Sequence, residues 1–105
     1  MKQNSIPIPQ LGAATALVQL LSEYPTLPRA TWYVDGVALH GHLHDAGFEE
    51  LGMYAARLGG SIRPQDEFEL RGEMVRSHYL RTTWRDVPVE IVVLVPVAAD
   101  AAVAA

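Results

Sequence analysis

The chain has 105 residues, 50% hydrophobic and 19% charged, with no cysteine and a formal charge of −4. That composition is globular and fits one domain with one core, and it excludes disulfides, thiolate nucleophiles and cysteine-held metal or iron–sulfur sites. The negative charge argues against nucleic-acid binding as a default, although residues 57–85 set six basic residues against four acidic ones.

Residues 1–9 read as an extended arm, because Pro7 and Pro9 disfavour helix just before them. From Gln10 to Tyr24 the residues Leu11, Ala14, Leu17, Val18, Leu21 and Tyr24 recur at three and four, which predicts one amphipathic helix. Pro25 and Pro28 end it. One lysine, two prolines and a poor cleavage site at residues 22–25 make this a helix of the domain rather than a signal peptide. The longest apolar run, Ile91 to Val97, is broken by Pro96 and falls well short of the roughly 18 residues of a membrane span. The expectation is a cytoplasmic protein without a membrane partner, which the missing cysteines fit.

The next stretch, TWYVDGVALHGHLH, is the clearest hairpin signal. Asp35-Gly36 between alternating apolar runs predicts a two-residue type I′ turn. That turn sets Val34 opposite Val37, Tyr33 opposite Ala38, Trp32 opposite Leu39 and Thr31 opposite His40. Alternation then places Trp32, Val34, Val37, Leu39, Gly41 and Leu43 on the core face. Thr31, Tyr33, Ala38, His40, His42 and His44 take the other.

Asp45 is the expected N-cap of a second helix, with Glu49 and Glu50 in its first turn. Phe48, Leu51, Ala55 and Leu58 form its apolar side, and Gly59-Gly60 stops it. Residues 61–76 are charged and contain Pro64, which reads as a long loop with at most a short strand at Glu67–Leu70. SHYLRTTWR and VPVEIVVLVPV form a second hairpin about Arg85-Asp86. Its last strand is apolar on both faces, as a central or doubly covered strand would be. Residues 98–105 read as a flexible alanine-rich tail. The expected fold is α+β in the order αββαββ: a four-stranded, mainly antiparallel sheet of two hairpins with two helices on it, as one domain over residues 10–97.

Three patterns bear on function. The run HGHLHD sets His40, His42 and His44 on one strand face, where neighbours two apart lie about 6.5 Å from each other. Two of them could share a metal, with His78 or Asp45 as a third ligand. The run is similar to the HxHxDH signature of metallo-β-lactamase-like hydrolases, but its order differs and the chain is too short for that fold. A solvated or interfacial row of histidines is the simpler reading, and no resident metal or other cofactor is expected. Tyr79, Arg81, Thr83 and Arg85 also share a face, the pattern of a single-strand nucleic-acid platform, or else of a plain solvent face opposite Leu80 and Trp84. No nucleophile elbow or phosphate loop is present, so no catalytic residue is assigned and no enzyme is expected.

The motif W-x-V-D-G-x-x-L-x-G-x-L from Trp32, the Leu-Gly-Gly helix end and W-R-D-V-P-V-x-I from Trp84 together resemble small uncharacterised α+β proteins of actinobacteria and their phages and plasmids. The likeness covers Ala30 to Val95 and rests on turn and core residues, with Asp86 where the pattern usually has glycine. It implies an accessory protein of a mobile element and carries no catalytic residue. The reading is a non-catalytic domain that binds protein, itself as a homodimer first, through Tyr33, His40, His42, His44, Val92 and Leu94. The alternatives are a metal-binding protein using His40, His42, His44 and His78, and a nucleic-acid accessory factor using Tyr79, Arg81 and Arg85.

Overall fold

The computed structural model describes residues 8–98. It is an α+β fold in which two helices cover one side of a five-stranded mixed sheet. The elements are α1 (Ile8–Glu23), β1 (Ala30–Asp35), β2 (Ala38–Leu43), α2 (Phe48–Leu58), β3 (Ser61–Leu70), β4 (Glu73–Trp84) and β5 (Val87–Pro96). The strand order is β1-β2-β5-β4-β3, with β2 and β5 parallel and every other neighbour antiparallel. The doubly apolar β5 is the central strand, as its composition requires.

Two features correct the four-stranded expectation. Residues 61–70 are a full edge strand rather than a loop, paired with β4 from Ser61↔Arg81 to Leu70↔Glu73 and broken once between Pro64 and Glu67. All ten of its residues are exposed, so no alternating apolar pattern along its length was needed, and alternation is confined to Phe68-Glu69-Leu70 at its end. The two hairpins are also joined by a parallel contact, Leu39↔Val89 to His42↔Val92, which α2 makes possible by carrying the chain across the sheet.

The first hairpin turns one residue later than expected. Gly36 and Val37 are the turn residues and Asp35 pairs with Ala38, Val34 with Leu39, Tyr33 with His40 and Trp32 with Gly41. Of the two turn residues only Gly36 has positive φ, at 59°, as in a turn with glycine at its first central position. The type I′ pattern occurs instead at the second hairpin, where Arg85 and Asp86 both have positive φ, 51° and 67°. The shift moves each residue of β1 by two positions along β2, so the two faces keep their members. Only Val37 leaves the core face, for the exposed turn.

The core face holds Leu39, Leu43, Leu80, Val89, Ile91, Val93 and Val95, all buried, beneath Ala13 and Ala16 of α1 and Leu51 and Tyr54 of α2. Of the side chains expected at its centre, Leu39, Leu51, Leu80, Ile91 and Val93 are buried, while Trp32, Phe48 and Trp84 pack against it partly exposed. Trp32 lies across Gly41, where a Cβ would come within 2.9 Å of the indole. Gly41 is therefore the seat of that ring.

α1 turns a different side to the sheet than its leucines suggested. Ala13, Ala16 and Leu20 are buried, whereas Leu11, Val18 and Leu21 are 50%, 64% and 48% exposed. The small residues let the helix backbone approach the sheet closely enough for the Trp84 indole N–H to donate to the Ala16 carbonyl at 3.2 Å. The chain has no charge between Ile8 and Ser22 that would have fixed the orientation from sequence.

Asp45 is not the cap of α2. It sits at φ 53°, and Gly47 is the N-cap, its N–H bonded to Glu50 Oε1 at 2.7 Å. At the other end the Gly59 N–H reaches the Ala55 carbonyl. Gly60, at φ 98°, passes so close to β4 that a Cβ would lie 2.4 Å from the Arg81 carbonyl. Thr82 Oγ1 donates to the Leu58 carbonyl beside it and pins the helix end to β4. The expected N-terminal arm falls outside the described residues except for Ile8 and Pro9, which already belong to α1; the tail falls outside except for Ala98.

Candidate functional site

Because both helices pack on one face, the other face has no layer over it among the described residues. The pairings bring Thr31 and Tyr33 of β1, His40 and His42 of β2, Glu90, Val92 and Leu94 of β5, and Ser77, Tyr79 and Arg81 of β4 onto that face. Its members come from both hairpins, and the parallel β2–β5 contact is what makes them one surface.

The surface has a polar half and an apolar half. In the polar half His40 lies between two carboxylates, Nε2 at 3.7 Å from Asp35 and Nδ1 at 3.5 Å from Glu90. Glu90 also accepts from Arg81 Nε at 2.9 Å, and the Arg81 guanidinium lies 4.6 Å from the Tyr79 ring centre. The hydrogen bond that it donates to Glu90 holds the Arg81 guanidinium above its ordinary pKa. In the apolar half Tyr33 and His42 meet with ring centres 5.2 Å apart, and His44 Nε2 lies 3.0 Å from Thr31 Oγ1. A hollow of about 300 Å³ opens beside them, lined by His42, His44, Phe68, Ser77, Val92 and Leu94.

Of the residues singled out in sequence, Tyr33, His40, His42, His44, Val92 and Leu94 lie around this one surface. Phe68 was missed, because its segment read as a loop; the F-E-L alternation at the end of β3 was the one available signal. His78 is on the opposite face, with its ring centre 4.4 Å from that of Phe48. It pairs with Val93 and cannot join the row on β2. Among the described residues no group of three or more His, Asp or Glu is placed to hold a metal ion. The arginine pattern also separates. Arg85 lies in the turn and reaches Glu23 and Gln19 of α1, while Arg81 stays on the uncovered face with Glu90. Each guanidinium already has a carboxylate, so no free basic stripe runs along β4.

No family model, curated protein or solved structure matches the chain. No helix among the described residues is long and apolar enough to cross a membrane.

Proposed function

We propose that the protein is a non-catalytic binding domain whose uncovered sheet face docks protein, with a second copy of itself as the first partner. One observation carries the reading: the face sets exposed Phe68 and Leu94 with Val92 and His42 around a hollow, exposed Tyr33 packs against His42 beside it, and no helix or further strand among the described residues lies over it. Contiguous apolar and aromatic surface with few charges at its centre is the composition of an interface core, and a self-complementary patch closes most simply as a two-fold pair. The polar row from Asp35 to Arg81 would form the rim. The setting we propose is a cytoplasmic accessory role in a mobile element, on the strength of the motif likeness.

The test is light scattering at high micromolar concentration. A dimer at pH 8 supports the reading and a monomer overturns it.

A further inference from the structure

The two edges of the sheet are not alike. β3 carries Pro64, an irregular step between Pro64 and Glu67, and the charges Arg63, Asp66, Glu67 and Glu69. Those are the devices that keep an edge from pairing with another chain. β1 has no proline and no irregular step, and its one charge, Asp35, stands at its end. Between Ala30 and Asp35 it is Thr-Trp-Tyr-Val, paired with β2 without a break, and among the described residues its outer side meets no other strand.

Beside that bare edge, on the helix side, lies a cleft of about 420 Å³ walled by Leu20, Tyr24, Leu27, Trp32 and Tyr54. The volume is in the range that holds a large side chain or small ligand. Tyr54 is committed to the wall, its hydroxyl donating to the Pro28 carbonyl at 2.5 Å. Arg29 also lines the cleft, is exposed, and is its one charged residue. A second guanidinium, that of Arg57, lies 6.0 Å from the Tyr24 ring centre. No carboxylate lines the cleft, although the chain as a whole is acidic.

We propose that β1 and this cleft form a site for the C-terminus of an extended peptide, separate from the uncovered sheet face. A strand added antiparallel to β1 ends beside Ala30, so its terminal carboxylate reaches Arg29. Its last side chain, one of those alternating toward the helices, enters the cleft. Main-chain bonds to the edge supply affinity, and the cleft and cation select an apolar C-terminal residue with a free carboxylate. A small apolar acid would satisfy the cleft and Arg29 but would leave the edge unused. The bare β1 edge favours the peptide.

Fluorescence anisotropy with a labelled threonine- and valine-containing hexapeptide ending in leucine tests this. The free acid binds saturably, and the C-terminal amide binds at least about tenfold more weakly, as expected for losing a hydrogen bond to a charged group. Arg29→Ala, at an exposed position, binds acid and amide alike. Leu21→Glu, also exposed and on the cleft, adds the wrong charge and loses the acid. N-methylation of alternate peptide amides abolishes binding in one of its two registers. Equal binding of acid and amide by the native protein, binding insensitive to both N-methyl series, or N-acetyl-leucine competing as strongly as the unlabelled peptide each overturns the proposal. So does peptide binding that weakens as protein concentration rises, which would mean that β1 of a second copy takes the edge.

Discussion

The two faces of this sheet are built from the same strands by the same alternation, yet they end in opposite states. On one, Leu39, Leu80, Ile91 and Val93 are 0–1% exposed; on the other, Tyr33, Phe68 and Leu94 are 41–48% exposed. Polarity alone does not separate them, because β5 offers Val89, Ile91 and Val93 to one side and Val92 and Leu94 to the other. What separates them is where α1 and α2 come down. A helix that can bring Ala13 and Ala16 against the strands closes its side, and on the far side Tyr33, Phe68 and Leu94 become surface while Val75 and Tyr79 stay sheltered among their neighbours.

That contrast is broken most severely from the covered face. Leu80→Ala should cost about 3 kcal/mol, since it removes a side chain with no exposure from a packed core. Urea unfolding would show it, and a loss under about 1 kcal/mol would mean that the helices do not close this face. Gly60→Ala should cost about 2 kcal/mol by forcing a Cβ onto the Arg81 carbonyl at a positive φ. Stability unchanged by that substitution would detach the α2–β3 link from β4.

Tyr54 sharpens the comparison through pH. Burial raises its hydroxyl pKa from 10.0 to about 12, so the folded state resists ionisation that the unfolded state accepts. Its contribution is whole below pH 10 and is lost as pH rises toward 12, amounting to about 2 kcal/mol. Tyr54→Phe is less stable at neutral pH by about 1 kcal/mol for the lost bond to Pro28, but it should lack that alkaline component. Parallel alkaline curves for the two proteins would place Tyr54 in water.

The smallest stability effect belongs to the uncovered face. Leu94→Asp should shift unfolding by less than about 1 kcal/mol while converting the proposed dimer to monomer in light scattering. Tyr33→Ser should do the same in milder form. If either variant unfolds the protein, something covers this face after all.

The Trp32, Gly41, Gly60 and Asp86 positions singled out in the sequence each meet a backbone or packing demand. Trp32 and Gly41 pair across β1 and β2, Gly60 clears β4, and Asp86 holds a positive φ.

Sequence by itself determined the sorting of strand faces and the end of α2, though not the position of the first hairpin turn, one residue beyond Asp35-Gly36, nor the cap of α2, which is Gly47 and not Asp45. Alternation sorted Trp32, Leu39 and Leu43 from Tyr33, His40 and His42, and it survived a shifted turn because the shift was even. Gly59 and Gly60 ended α2, and β5 was legible as the central strand from its two apolar sides. Tertiary structure decided the rest. α1 carries two overlapping apolar stripes, and only contact with Trp84 and the strands chose the one with Ala13 and Ala16 over the one with Leu11 and Val18. β3 is held by main-chain pairing with β4 and buries none of its side chains, so the sequence signalled only its last residues, Glu67 to Leu70. The parallel contact of β2 with β5 joins segments some fifty residues apart by main-chain bonds, which side-chain periodicity does not encode. That contact sets His42 beside Val92, and the uncovered face exists as one surface because of it.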